Sequence, residues 1–580
     1  MRMSVKKHKN RLWTGSLAVY LCAMMLISAC GGQGQNEAET GEILQEETSV
    51  TAETGGDQGE SETAELSEEE DAYGKYSELV NISILGIDAG KASIEYDSSN
   101  PERKSASENI WIDAYEKYLN LDVDRQIAED DTALNATINT SMASGDLPDV
   151  MIVSKETLYT LAQNEVLQDL RPAYEEYSAS KGTLLKTAVE GMPSALDAGT
   201  INGELLGFPI IPSAYNSTES LWIRQDWLDQ VGMEAPKTLD EMKEVARAFM
   251  ENGLGGDDTI GLGLAATKEN LQPYRSLLAP FGVVYNVWTE NEEGTYEYSM
   301  VSDEMKDALL FMQDLYSEGL VKSDFAVTDI LGEEVANGKV GMYYGEGWRG
   351  ATDVKASLIN DESADWIAAP IPTQDGNLVK QWTNSTIDYF AVVTKECEYP
   401  EAILKMIELE LHMYYEPTEE EQVTYVVCED SYPVWNFRIF RNFNYADLAV
   451  RQCELIMDGL EKDMPLEEMP LIARTQYQQV LEGLGGDRSQ LGYVPVYTEG
   501  YKNIMDSLNA GMLVGEYDGP ITENMSLYLN TINAALTSEC MKVVMGADIS
   551  VFDAAVDAWY QNGGQAITEE INEYYASLNG

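Results

Sequence analysis

Along most of this chain, short stretches of alternating or continuous apolar residues are separated by segments with helical spacing. Residues 79–87 alternate like a strand, and residues 107–119 follow, after a polar loop, with the period of a helix. Residues 149–153 read as a buried strand entered through the turn Gly145-Asp-Leu-Pro148. Two helical segments then lead to Gly203-Glu-Leu-Leu-Gly-Phe-Pro209. The pattern restarts with a strand running into a helix over residues 221–227. Thr238 and Glu241 form a capping box for an amphipathic helix that continues to about Met250. Residues 337–344 and 366–372 predict two more strands, the second broken by Pro370 and Pro372, where a chain can cross between lobes. A strand over 388–393 precedes an amphipathic helix over 401–414. Strands alternating with helices predict an α/β fold built on largely parallel sheets. No short repeat period is present, which argues against a solenoid.

The first thirty residues break this pattern. Lys6, Lys7, Lys9 and Arg11 precede an apolar stretch over 17–27, which suits a secretory signal and falls short of the roughly 20 residues of a membrane span. It ends Ile27-Ser28-Ala29-Cys30-Gly31, which resembles a bacterial lipobox. That resemblance implies cleavage after Ala29 and a lipidated Cys30 that holds the chain on the extracellular face of the cell membrane; two acyl chains make a lasting anchor. Residues 30–78 then form an acidic tract, with fifteen Asp and Glu against the single Lys75. Such a segment buries too little apolar surface to offset its ordering entropy and is expected to act as a solvated tether.

Composition narrows the chemistry. Of 580 residues, 100 are Asp or Glu and 37 are Lys or Arg, a formal charge of −63. That field repels a phosphate backbone and makes nucleic acid a poor partner. Beyond Cys22 and Cys30 the cysteines are Cys397, Cys428, Cys453 and Cys540, whose wide spacing matches no zinc or redox motif. His412 is the one histidine outside the leader. A histidine-based triad, a multi-histidine metal site and a bound cofactor are therefore not expected.

Several runs resemble the bacterial extracellular solute-binding proteins of the sugar-binding family 1, in their long lipoprotein branch. They are Trp222-Ile-Arg-Gln-Asp-Trp-Leu-Asp-Gln-Val-Gly232, Ala235-Pro-Lys-Thr-Leu-Asp-Glu241, Gly145-Asp-Leu-Pro-Asp-Val150, Gly203–Pro209 and Gly338-Lys-Val-Gly-Met342. The resemblance implies a two-lobed, type II periplasmic-binding-protein-like clamp with hinge crossings and a C-terminal helical extension. Lobe I would comprise 79–210 and 370–430; lobe II would comprise 211–369 and be completed by 431–580. Ligand would sit in the cleft, with lobe closure presenting it to an ABC permease. One departure stands out. Where many relatives carry a calcium-binding loop, this chain reads Glu251-Asn-Gly-Leu-Gly-Gly-Asp-Asp-Thr259 and lacks most of the alternating oxygen ligands a hard cation needs, so no metal is expected.

Sugar recognition needs flat apolar faces for ring C–H surfaces and planar polar groups for hydroxyls. Such residues just past strand ends are the candidates. Tyr344, Glu346, Trp348 and Arg349 share one glycine-rich turn, and the family places a ring-stacking aromatic at Trp348; packing in a core is the alternative for it. Arg224 could reach ligand or pair with Asp226. Asp88, Lys155 and Glu156 follow the first strands. Ser213 and Tyr215 lie past the first crossing, and Trp382, Asn384 and Asp388 flank the strand after the second. Trp227 reads as core. The expected function is capture of a carbohydrate, an oligosaccharide, by a monomeric lipoprotein that serves an ABC importer. A peptide-binding protein, a polysaccharide-acting enzyme and a sugar sensor are the alternatives.

Overall fold

The computed structural model describes residues 72–87, 107–192, 194–265, 270–291, 293–327, 331–426, 434–517, 519, 521–522 and 524–578. Two sheets organise them. The first has the strand order Leu121–Ala128, Val80–Ile87, Val150–Ser154, Tyr389–Val393, Phe208–Pro209. Val80–Ile87 runs parallel to both of its neighbours, whereas Tyr389–Val393 runs antiparallel to Val150–Ser154 and Phe208–Pro209. The second has the order Trp366–Ala369, Glu219–Arg224, Val340–Glu346, Ile260–Gly263, with Glu219–Arg224 antiparallel to both of its neighbours and Val340–Glu346 parallel to Ile260–Gly263. Each sheet has its own core, which makes the protein two-lobed.

The predicted landmarks lie where they position the lobes. Thr238 caps the helix Leu239–Glu251: Glu241 N–H donates to its Oγ1 at 3.3 Å, and Thr238 N–H donates to Glu241 Oε2 at 3.1 Å. Glu219–Arg224 is buried along its whole length. Leu221 and Ile223 enter one core and Trp222 another, as the two-residue period of a strand requires. The chain from Leu448 onward contributes to both covers, beside earlier helices such as Leu239–Glu251 and Asp353–Asn360. Helices Leu448–Glu461, Leu471–Leu484 and Tyr501–Asn509 pack on the Trp222 side, and Asn530–Val544, Ser550–Trp559 and Gln565–Leu578 on the Leu221 side.

Five expectations change. The sheets are not largely parallel, because four of their seven strand pairings run antiparallel. Val434, Phe437, Phe440, Phe443 and Leu448 belong to the first core, so the chain leaves lobe I near residue 448 rather than 430. Ile371 still packs in lobe II, and Ile387 is the first returning residue in the lobe I core; the second crossing therefore spans about residues 372–386. Tyr73 and Tyr76 pack on lobe I. There Tyr76 O–H donates to Glu401 at 2.8 Å and the Lys405 ammonium lies 3.4 Å from the Tyr76 ring centroid. The packed body thus begins near residue 73, ahead of the expected 79. Finally, Ala402–Tyr415 is buried nearly all round instead of amphipathic. Its acids are met by backbone donors: Glu408 accepts the Leu184 and Leu185 N–H groups at a helix N-terminus, and one oxygen of Glu410 accepts those of Ile439 and Phe440 while the other has no partner among the described residues.

Cys397, Cys453 and Cys540 are buried free thiols; burial pushes them up to about 11, 12 and 12 respectively. Cys428, Cys30 and Asp88 lie outside the described residues. In the loop over 251–259, the Lys339 ammonium donates to the Gly255 carbonyl at 3.1 Å. No described helix is long and apolar enough to cross a membrane.

Candidate functional site

A cavity of about 670 Å³ is lined from lobe I by Asp131, Asn135, Ser154, Lys155 and Glu156, from lobe II by Asn286 and Trp288, and from the second crossing and beyond by Thr386, Asp388, Tyr389, Glu516 and Tyr517. Local structure explains why these side chains converge. The strand Val150–Ser154 runs directly into the helix Lys155–Gln163, whose N-cap Ser154 accepts the Thr157 N–H. Lys155 and Glu156 therefore stand at the carboxyl end of a strand, where α/β sheets receive ligands. Tyr389 pairs with Ser154 in the antiparallel register, which sets Asp388 beside them. Asp131 opens the helix Asp131–Ser144 and accepts the Tyr389 O–H at 3.1 Å.

This cavity is rich in acceptors. Burial raises Glu516 above the usual carboxylate range, against hydrogen bonds from Asn286 and from Trp382, whose indole N–H donates at 3.0 Å. Enclosure by the cavity walls raises Asp388, with Lys155 opposing and Glu156 adding to the rise. Asp131 Oδ1 and Thr386 Oγ1 are buried without a hydrogen-bond partner among the described residues. Buried polar atoms are nearly always paired, so these two keep unused hydrogen-bonding capacity at the cavity wall.

A second cavity, of about 240 Å³, lies past the ends of Ile260–Gly263 and Val340–Glu346 and is lined by Glu219, Arg275, Tyr343, Tyr344, Glu346, Arg349 and Asp353. Here the charges are paired. Arg275 lies 2.9 Å from Glu219 and 3.1 Å from Glu346; Arg349 lies 2.9 Å from Glu346 and 3.0 Å from Asp353. Burial raises Glu219 despite Arg275. For Glu346 burial acts upward too, but Arg349 and Arg275 outweigh it and hold the carboxyl low. Trp382 joins the two cavities: its N–H reaches Glu516 in the first, and its ring lies 5.2 Å from the Arg275 guanidinium of the second.

The candidates from sequence therefore divide. Lys155, Glu156 and Asp388 meet in the first cavity, and Tyr344, Glu346 and Arg349 in the second. Tyr344 O–H points to Met242 Sδ at 3.1 Å. Trp348 is 37 % exposed and lines neither cavity; the Arg349 guanidinium lies 4.6 Å from its ring. Arg224 does not reach the cleft, because it is 2 % exposed and grips Asp226 through two 2.7 Å bonds and Asp361 through a third at 3.0 Å. Ser213, Tyr215 and Asn384 sit in the crossings: the Tyr215 N–H donates to the Ala446 carbonyl, and the Asn384 N–H donates to Ser217 Oγ. Sequence reasoning missed Asp131, Asn286, Trp288, Arg275, Thr386 and Glu516. Asp131, first in a helix that follows the alternating strand Leu121–Ala128, carried a usable signal; Glu516, in a loop far along the chain, carried none.

The family profile described as bacterial extracellular solute-binding protein matches residues 111–403. The chain belongs to that family. It is 25% identical over 500 residues to lipoprotein LipO of Bacillus subtilis (strain 168), covering 82% of this chain and 90% of the relative. It is 26% identical over 244 residues to the fructooligosaccharide ABC transporter substrate-binding protein FusA of Streptococcus pneumoniae, covering 39% of this chain and 44% of FusA. The fold of this solute-binding protein is similar to that of the alginate-binding protein AlgQ2, with a TM-score of 0.53, 13% identity, and coverage of 86% of this chain and 98% of that one. The type II two-lobed clamp expected from sequence is thus the fold observed.

Proposed function

We propose that this solute-binding protein captures an oligosaccharide in the cavity between its lobes and delivers it to an ABC permease, while Cys30 carries a lipid anchor that holds it on the extracellular face. The observation that supports the reading most is the pair of buried, unpartnered acceptors, Asp131 Oδ1 and Thr386 Oγ1, in a cavity that also offers Trp288 and Tyr517. Sugar hydroxyls are donors that fit such acceptors, and aromatic faces suit ring C–H surfaces. The named specificity of FusA and the lipoprotein name of LipO fit the same reading.

Melting temperature tests it, since a ligand that binds only the native state raises it. Oligosaccharides should shift the transition and peptides should not; a shift with peptides alone overturns the sugar reading. The sugar that binds should be recovered intact after prolonged incubation, and the appearance of shorter products would make the protein an enzyme. Mass spectrometry of the N-terminal peptide should find a diacylglyceryl group on Cys30, and Cys30→Ala should release the protein from membranes.

A further inference from the structure

Beside the carboxylate-lined cavity lies another of about 290 Å³ with a different chemistry. Its walls include Asn270, Tyr285, Asn286, Tyr298, Asn530 and Asn533, and among the described residues they carry no Asp, Glu, Lys or Arg. In a chain with 100 acidic residues, a polar wall without charge is a distinct surface. The two cavities adjoin. Asn286 lines both, and Leu529 of the first is followed in the chain by Asn530 of the second.

Two of the amides, Asn286 and Asn533, are held in place. Tyr298 O–H donates to Asn286 Oδ1 at 2.7 Å, Asn533 Nδ2 donates to the Tyr298 oxygen at 3.0 Å, and Trp559 Nε1–H donates to Asn533 Oδ1 at 2.8 Å. An indole N–H only donates, so this last bond fixes which end of the Asn533 amide is oxygen. Tyr298 in turn stacks on Trp559, with centroids 5.3 Å apart and planes at 5°. A side-chain amide offers two donors and two lone pairs, more than these bonds use, and its rigid backing lowers the ordering cost of binding.

We propose that this amide-lined cavity is a subsite for further units of a neutral oligosaccharide whose first unit occupies the carboxylate-lined cavity. The proposal rests on the carbohydrate reading and narrows its substrate class. Amides answer hydroxyls, which both donate and accept. A uronate carboxylate would meet no cation among the described lining residues and would lie next to Asn286, whose neighbour in the adjoining cavity is the acid Glu516.

Isothermal titration of the full-length protein with malto-, cello-, xylo-, galacto- and fructo-oligosaccharides and with oligogalacturonides, from disaccharide to hexasaccharide, tests it. In the neutral series that binds, lengthening beyond the disaccharide should tighten binding about tenfold, the worth of two net hydrogen bonds. Ala534→Trp, which fills the cavity from an exposed position on the helix Asn530–Val544, and Asn530→Leu, which removes one amide, should each collapse that ratio towards one. A length gain that survives both substitutions, or tightest binding of the oligogalacturonides, overturns the subsite while the carbohydrate reading stands. If no sugar binds the unsubstituted protein, the carbohydrate reading fails and the subsite falls with it.

Discussion

The carboxylate-lined cavity and the one beside Glu346 draw on the same residue types yet do different work. Around Glu346, three carboxylates face two guanidiniums, and each charge has an opposite partner within about 3 Å. Around Asp131, four carboxylates share the wall with Lys155 and the buried atoms left over are the acceptors Asp131 Oδ1 and Thr386 Oγ1, whereas around Glu346 they are the donors Arg275 Nε and Tyr343 Oη. Ion pairing consumes hydrogen-bonding capacity and fixes geometry; leftover capacity is what a ligand can use. A charged cavity is therefore better judged by its unpaired atoms than by its charge.

The largest expected effect comes from breaking the paired cavity. Arg275→Met leaves Glu219 buried without its cation, and denaturant unfolding should register a loss of about 3–5 kcal/mol. A loss under 1 kcal/mol would mean that the pairing is ornamental and the contrast between the cavities false. Next is Thr386→Val, which removes an unpartnered hydroxyl at constant shape. Stability should hold or rise by up to about 1 kcal/mol while sugar affinity falls about tenfold; opposite signs from one substitution are the signature of a ligand contact.

Acidification sharpens the comparison further. Glu516 and Asp388 sit above the usual carboxylate range, so their charged forms weaken the folded state at neutral pH. That penalty lifts as pH falls through their raised values and is gone below the unfolded ones. Glu346 is held low, and the stability it contributes is lost only at more acid pH, through its folded value. From neutral pH downward, stability should hold or rise before it falls, while sugar affinity drops first, because a protonated acid accepts less well. Parallel loss of both from neutral pH would contradict this assignment. The smallest effect is assigned to Trp348→Ala: the ring lines neither cavity, so stability should change by about 0.5 kcal/mol or less, with affinity altered less than by Thr386→Val. A large loss of affinity would place Trp348 on the ligand after lobe closure.

Six of the nine strands in the two sheets and the Thr238 cap were legible because each depends on residues close in sequence; Leu121–Ala128, with only half its positions apolar, and the short Phe208–Pro209 and Ile260–Gly263 were not. Lys155, Glu156 and Asp388 were legible for the same reason: each lies next to an apolar strand whose end marks the cleft. Arg224 shows the limit. Asp226 is two residues away and visible as a partner, but Asp361, which completes the grip and turns the arginine inward, is 137 positions on. Glu516 reaches the site because Leu513–Val514 pairs with Gln381–Trp382, a contact that two-residue strands cannot announce. The helix Ala402–Tyr415 looked amphipathic because its buried acids are answered by backbone N–H groups of segments that sequence does not place beside it.

The late position of the segments that finish each lobe bears on biosynthesis. The lobe I core needs residues up to Leu448, and the lobe II core needs residues up to Ile571. A nascent chain acquires its partners in order of synthesis, so neither core can close until long after its first strands have left the ribosome. For a polypeptide that threads a translocation channel before it folds, that delay keeps the chain in a transportable state, and the last helices to emerge act as the closing step of the whole molecule.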